Sequence, residues 1–220
     1  MFDLFVNSLV VMLVVVDPIG LAPMFAVLTY GESPAEQRRI AIRGTLIAGA
    51  ILVVFVLAGD ALLSTLGIGM PAFQVAGGIL LFLLAVDMVF ARHSGLRSTT
   101  EREQREAETR KDISVFPLAI PLIAGPGALT SVLLMVGEQG GDPMVIGTVL
   151  AVVFVVLSVA LVSLLFSARI MGFMGETGAN VVSRVLGVIL AALAVQFVMD
   201  GWDAGFSYDD AAPQMMTVRM

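Results

Sequence analysis

Six long apolar stretches with few charges restrict what this chain can fold into. They are Leu4–Leu28, Gly44–Leu66, Pro71–Phe90, Ile113–Val136, Met144–Ala168 and Asn180–Met199. A helix that crosses a bilayer needs about 20 mostly apolar residues, and each stretch is too long for a buried strand. Only 14% of the 220 residues are charged, whereas soluble domains average roughly 25%. The sequence therefore predicts an all-α membrane protein with six transmembrane helices.

The basic residues predict the orientation of these spans. The connections between spans 1 and 2, 3 and 4, and 5 and 6 share one side of the membrane. They contain 11 of the 12 basic residues: Arg38, Arg39, Arg43, Arg92, Arg97, Arg102, Arg105, Arg110, Lys111, Arg169 and Arg184. Positive charge favours the cytoplasmic side. We therefore expect a multi-pass protein of the inner (plasma) membrane, with the loop 91–112 in the cytoplasm and both termini outside it.

The cysteine and histidine content also restricts the kinds of site that the chain can form. The chain has no cysteine, and its one histidine, His93, falls in the charged loop. Thiolate sites and histidine-based triads are therefore not expected, and we predict no enzyme, no metal site, no resident cofactor and no nucleic-acid partner. Residues 1–202 are predicted to form one membrane domain in the lipid bilayer. Residues 203–220 are predicted to be a disordered, non-cytoplasmic tail. The oligomeric state stays open, a homo-oligomer included.

The two halves of the chain are similar to each other. Residues 74–89 of the third span align with residues 183–198 of the sixth, with six identities: Gly78/Gly187, Leu81/Leu190, Leu84/Leu193, Ala85/Ala194, Val86/Val195 and Val89/Val198. The first and fourth spans match at Pro18/Pro126 and Leu21/Leu129. Two copies of a three-span unit must insert in opposite directions. The pattern predicts an inverted repeat, with a first copy at about 1–90 and a second at 113–202, as in many secondary transporters.

The first and fourth spans each contain helix breakers near their centres. Asp17 suits an N-cap and Pro18 the first position of a new helix, and Gly125 and Pro126 can take the same two positions. A helix that restarts exposes unpaired N–H groups and the positive end of its dipole, which attract a carboxylate. The predicted substrate site lies at the midplane between the breaks at 17–20 and 125–127: Asp17, Pro18, Gly20, Pro23, Gly125, Pro126, Gly127, Thr130 and Ser131, with Asn7, Gln74 and Gln196 as secondary candidates.

Asp17 is the one ionisable residue near the centre of a span. A carboxylate at this depth is a functional candidate because burying its charge is costly. It would attract an ammonium group, a proton or a sodium ion that couples transport. Together with the helix N-termini it would complete a site for a small zwitterion. The alternative interpretation is that Asp17 only caps the break.

Three motifs resemble the MarC family, also called NAAT, of six-span membrane proteins. They are D-P-I-G-L-A-P-M-F at 17–25, P-L-A-I-P-L-I-A-G-P-G-A-L-T at 117–130, and the stretch from T-G-A-N-V-V-S-R to A-V-Q-F at 177–197. The family's name comes from a link to multiple antibiotic resistance, in which most members have no established role. The resemblance implies a relation to LysE-type exporters and transport of small neutral amino acids such as alanine and glycine.

The residues and the resemblance together favour a secondary transporter, specifically an exporter of small neutral amino acids or similar metabolites. A passive channel is the first alternative, because half-helices that meet at the midplane can also line a pore. The second is a membrane protein of unknown role, historically linked to multiple antibiotic resistance. An intramembrane enzyme or a structural protein is a third class, which the single carboxylate near the centre of a span and the absence of cysteine disfavour.

Overall fold

The computed structural model describes residues 1–90, 113–137 and 142–216, and the regular elements in this part of the chain are helical. The predicted cytoplasmic loop 91–112 lies outside the described residues. The helices are α1 Phe2–Val16, α2 Pro18–Leu28, α3 Pro34–Thr65, α4 Met70–Phe90, α5 Ser114–Ile123, α6 Pro126–Gly137, α7 Pro143–Leu165 and α8 Ser167–Met216.

The described helices supply five or six candidate membrane crossings. Five helical stretches are long and apolar enough to span a bilayer: Phe2–Leu28, Pro34–Gly59, Met70–Phe90, Pro143–Leu165 and Thr177–Gly205. The pair α5 and α6, which bends by 53° at the residues between them, brings the number to six when it is counted as one broken span. The prediction of an all-α membrane protein is therefore confirmed, and its six spans agree with this count.

Two helices extend beyond the predicted spans. α3 begins at Pro34 rather than Gly44, because Ser33 caps its first turn by accepting a hydrogen bond from the Glu36 amide at 3.3 Å. Hydropathy alone misses this polar first turn. α8 begins at Ser167, turns at Gly175, where φ is 63°, and continues to Met216. Residues 203–216 are therefore helical, whereas the sequence predicts a disordered tail there.

Helix packing follows the order expected for two related halves. α3 packs on α5, and its counterpart α7 packs on α1. In the same way α3 packs on α6, and α7 packs on α2. α8 also contacts α2, just as α4 contacts α6, and the pair α4 and α8 forms the most extensive helix contact among the described residues. Each of the contacts named here has its counterpart when α1, α2, α3 and α4 are exchanged for α5, α6, α7 and α8.

The contact between α4 and α8 has the same reciprocity at single residues. A methyl group built on Gly78 would lie 2.8 Å from the Ala194 carbonyl oxygen. A methyl group on Gly187 would lie 3.1 Å from the Ala85 carbonyl oxygen. Both glycines therefore allow close approach of the helices, and the two contacts exchange under the 109-residue offset of the sequence repeat. The reciprocity agrees with the inverted repeat, which stays a prediction.

Candidate functional site

The first break is a single residue in the left-handed conformation. Asp17 has φ 47° and ψ 68°, and it is the one non-glycine residue of the described chain with positive φ. Its amide donates to the Leu13 carbonyl at 2.9 Å and closes α1, while its own carbonyl accepts from Leu21 at 3.0 Å and opens α2. Aspartate tolerates this conformation better than most residues. Such backbone strain often marks a functional position.

The Asp17 carboxylate accepts a hydrogen bond from the first turn of α2. One oxygen accepts from the Gly20 amide at 3.0 Å, and the other accepts from the Ser183 hydroxyl of α8 at 2.7 Å. The residue is fully buried. A side chain on Gly20 would collide with both Asp17 and Ser183, so the glycine leaves room for the pair. The predicted N-cap role of Asp17 is thus confirmed, and binding of a substrate or ion by Asp17 stays a prediction.

A second contact from the opposite half secures this break. Ser163 of α7 is buried, and its hydroxyl donates to the carbonyl of Pro18 in the first turn of α2. Within the described chain, α2 is therefore joined by side-chain hydrogen bonds to α7, and the Asp17 cap at its start is joined to α8. Pro23 lies farther along the same helix and is half-buried.

The second break is more extended than the first. Phe116 and Ile120 in α5 have extended backbone conformations, and the proline after each follows a cis peptide bond. A proline disfavours helical geometry in the residue before it. The Leu118 and Ala124 amides accordingly bond to carbonyls five residues back, at 3.3 and 2.9 Å. Wide turns of this kind occur frequently at functional sites.

At the start of α6, the position equivalent to Asp17 provides no capping side chain. That position holds Gly125, which is buried and lies so close to the Pro121 carbonyl that no side chain fits. A cavity of about 20 Å³ lies beside this start, which is room for about one water molecule. Its lining includes Val15 of α1, Leu80 and Leu84 of α4, and Gly125, Pro126 and Gly127.

The two breaks are close to each other in space. A methyl group built on Gly127 would lie 3.2 Å from Val15 Cγ1 and 2.8 Å from Leu84 Cδ2. Val15 precedes Asp17 by two residues. The last turn of α1 therefore contacts the start of α6, and a common site formed by the two breaks stays a prediction.

The two predicted hydroxyl donors lie beyond the second break and have different surroundings. Thr130 packs so tightly against α4 that a side chain on Gly77 would collide with it. Ser131 is fully buried, and its hydroxyl has no hydrogen-bond partner among the described residues. It follows Gly127 by four residues and so lies on the same face of α6. A buried hydroxyl without a partner is costly, which makes Ser131 a candidate for binding a ligand.

The secondary candidates separate into buried and exposed side chains. Gln74 is buried in α4 and lies against Gly201 of α8. Asn7 is exposed, and so is Gln196, whose amide donates to Asp200 at 2.7 Å. Neither exposed amide reaches the breaks. Sequence reasoning missed Ser183 and Ser163, which anchor the first break; serine in an apolar span was the available signal.

The chain is similar to known membrane proteins along almost its whole length. Residues 2–206 match the family described as MarC family integral membrane protein. This chain belongs to the MarC family. It is similar to a UPF0056 membrane protein of Archaeoglobus fulgidus, 35% identical over 90% of this chain and 91% of the relative. It is 35% identical to the UPF0056 membrane protein YvbG of Bacillus subtilis over 91% of this chain and 95% of the relative.

A third relative is named after its location in the cell. The Escherichia coli K12 protein, named UPF0056 inner membrane protein YhgN, is 31% identical over 89% of this chain and 94% of its own length. The chain is thus an integral, multi-pass membrane protein of the MarC family. No solved structure matches it.

Proposed function

We propose that this MarC family protein is a secondary transporter that exports small neutral amino acids or similar small metabolites. The observation that carries the proposal is the start of α6, where Gly125 offers no capping side chain and a small cavity lies near the last turn of α1. The proposal takes this start as the binding site for the substrate's carboxylate.

The amides at the start of α6 are the groups that a carboxylate would meet. The first amides of any helix have no partner within the helix, and Pro126 has no N–H to satisfy. Gly127 and Ala128 follow it, and Gly125 offers no side chain to accept from them. Backbone of this kind is tolerated at membrane depth only where it is buried in protein or lines a cavity. A water in the cavity, or a carboxylate that displaces it, would satisfy these amides.

Ser131 adds a second polar group on the same face of α6. Its hydroxyl is buried without a partner in the described chain, so a ligand oxygen that reached it would gain a hydrogen bond without breaking one. Asp17 is the counterpart for positive charge, whether the substrate's ammonium group or a coupling proton or sodium ion. A zwitterion fits this pair because the second break contacts Val15, two residues from Asp17.

The size of the cavity favours alternating access over a permanently open pore. Space for about one water cannot hold an amino acid, so binding requires the two halves to move. The packing of α3 with α7 and of α4 with α8 crosses between the halves. Rocking of one half against the other is the movement that inverted-repeat transporters use.

Counterflow in proteoliposomes tests this function. Vesicles loaded with unlabelled alanine should accumulate external labelled alanine faster than empty vesicles do, and protein-free vesicles provide the background. A panel of labelled amino acids, with imposed proton or sodium gradients, then identifies the substrate class and the coupling ion. Uptake that is independent of the internal amino acid would indicate a passive channel. Absence of protein-dependent uptake across the panel would contradict transport of amino acids.

A further inference from the structure

A second, larger cleft lies where α2 and α7 end and where α3 and α8 begin. It is at the opposite end of α3 from Thr65, the last residue of that helix. Its volume is about 370 Å³, within the range of roughly 300–1,000 Å³ that small-molecule sites occupy. Its lining includes Phe25, Gln37, Arg38, Leu164, Phe166 and Arg169. The cleft therefore combines an apolar wall with two guanidinium groups, and the proposed transport site uses none of these residues.

The arginines lie near the starts of two helices. Arg38 follows the start of α3 by four residues, and Arg169 follows the start of α8 by two. The Arg169 guanidinium carbon lies 5.2 Å from the centre of the Phe166 ring, a cation–π contact. Gln37 is anchored beside Arg38, because its amide donates to the Thr29 carbonyl at 3.2 Å. These contacts give the rim of the cleft a defined structure.

The charge of the cleft is positive. No acidic side chain is among its lining residues in the described chain. Glu36, the acidic residue in the first turn of α3, forms its ion pair with Arg39 at 3.6 Å. In the described part of the chain neither Arg38 nor Arg169 has an ion pair. Two exposed guanidinium groups of this kind suit a phosphodiester, which arginine binds through parallel hydrogen bonds.

Exposed apolar side chains beside the cleft favour a ligand with an apolar part. Leu165 and Phe166 at the end of α7 are exposed. The short segment before the Gly175 turn carries Phe173, which is 92% exposed. Exposed apolar side chains next to arginine are typical of the membrane surface. A ligand that matches both features has an anionic headgroup and an acyl chain.

We propose that this cleft binds an anionic phospholipid. The phosphodiester contacts the guanidinium groups of Arg38 and Arg169, and an acyl chain follows the apolar wall of Phe25, Leu164 and Phe166. The charge pattern of the sequence predicts this end of the helices to be cytoplasmic, and anionic lipid in that leaflet attracts basic residues.

Lipid retention by the purified protein tests the site. The full chain in detergent is titrated with phosphatidylglycerol or with phosphatidylcholine, and bound lipid is counted by native mass spectrometry. We expect phosphatidylglycerol to bind more tightly, by about fivefold for each arginine that contacts the phosphate. Arg38→Gln and Arg169→Gln should each lose about fivefold and the double variant about 25-fold. Arg39→Gln is the matched control and should stay within about twofold.

Two further measurements distinguish a bound lipid from a free anion and from a change in folding. Leu165→Glu places a carboxylate at the cleft on an exposed position, and it should weaken phosphatidylglycerol binding while the midpoint of thermal unfolding is unchanged. Inorganic phosphate at millimolar concentration should not displace the lipid. Equal binding of the two lipids, unchanged binding in the double variant, or displacement by free phosphate would each overturn the proposal.

Discussion

The first and fourth spans both contain a helix break, but the new helix begins differently in each. In the first, a buried carboxylate caps the restarted helix and is itself held by Ser183. In the second, Gly125 occupies the corresponding position without a side chain, and a small cavity lies beside the helix start. The first span is a single stretch of 27 residues, Phe2–Leu28, whereas the pair α5 and α6 bends by 53°.

The difference separates the roles of the two breaks. The amide of Gly20 is satisfied within the protein, so the first break is complete without a ligand. The start of α6 has no such side chain, because Gly125 holds the corresponding position, and a small cavity lies beside it. We infer that the first break acts as an anchor between the halves, and that the second is where the substrate's carboxylate binds.

The largest expected effect follows from removing the anchor. Asp17→Ala deletes the cap and leaves the Ser183 hydroxyl buried without its acceptor, so the free energy of unfolding should fall by about 3 kcal/mol. Equilibrium unfolding in mixed detergent micelles, followed by circular dichroism, measures it. Asp17→Asn keeps an oxygen acceptor and should lose only about 1 kcal/mol. An unchanged free energy of unfolding in Asp17→Ala would show that the cap does not stabilise the break.

Asp17→Asn also separates the cap from a role in transport. The amide removes the negative charge while it keeps the acceptor, so a substrate or ion ligand would lose its attraction. Abolished or uncoupled counterflow with intact insertion would assign Asp17 to binding. Unchanged uptake and pH dependence would leave it as a cap alone.

The next effect concerns the second break. Gly125→Ala places a methyl group against the Pro121 carbonyl, and since backbone atoms must then shift, we expect a loss of about 2 kcal/mol in unfolding free energy. Gly147→Ala in α7 is the matched control, because no atom lies near its added methyl group. It should be neutral or slightly stabilising. Tolerance of Gly125→Ala would mean that the second break is not tightly packed.

A smaller effect compares two serines. Ser183→Ala removes a hydrogen bond to a carboxylate and should cost about 1.5 kcal/mol. Ser131→Ala removes a buried hydroxyl that has no partner in the described chain, so its unfolding free energy should stay the same or rise by up to about 1 kcal/mol. The same micelle unfolding experiment measures both. A loss in Ser131→Ala as large as that in Ser183→Ala would contradict the proposed difference between the breaks.

Local chemistry made both breaks predictable from the sequence. Asp-Pro and Gly-Pro pairs at the centres of apolar spans are strong signals for a helix end and a new start, and Asp17 is the cap that its residue type predicts. Pro121 predicts disrupted helical bonding near the second break, which α5 shows. These features depend on residues a few positions apart.

Long-range contacts and helix faces could not be predicted in this way. Ser183 is 166 residues from Asp17 along the chain, and no local pattern pairs them. Asn7 and Gln196 were candidates because both lie in apolar spans, yet both are exposed. In a membrane, the outer face of a helix is as apolar as the inner face, so periodicity does not show which side is buried.

The central claim is that the substrate's carboxylate binds at the start of α6. The most direct measurement is the initial rate of labelled-alanine counterflow in Gly127→Ala, beside Gly147→Ala and wild type. A methyl group on Gly127 would crowd Leu84 and Val15 at the cavity, so we predict a rate about tenfold lower, equivalent to about 1.4 kcal/mol in activation free energy. Gly147→Ala should stay within about twofold of wild type. A Gly127→Ala protein that transports alanine at the wild-type rate would contradict the account.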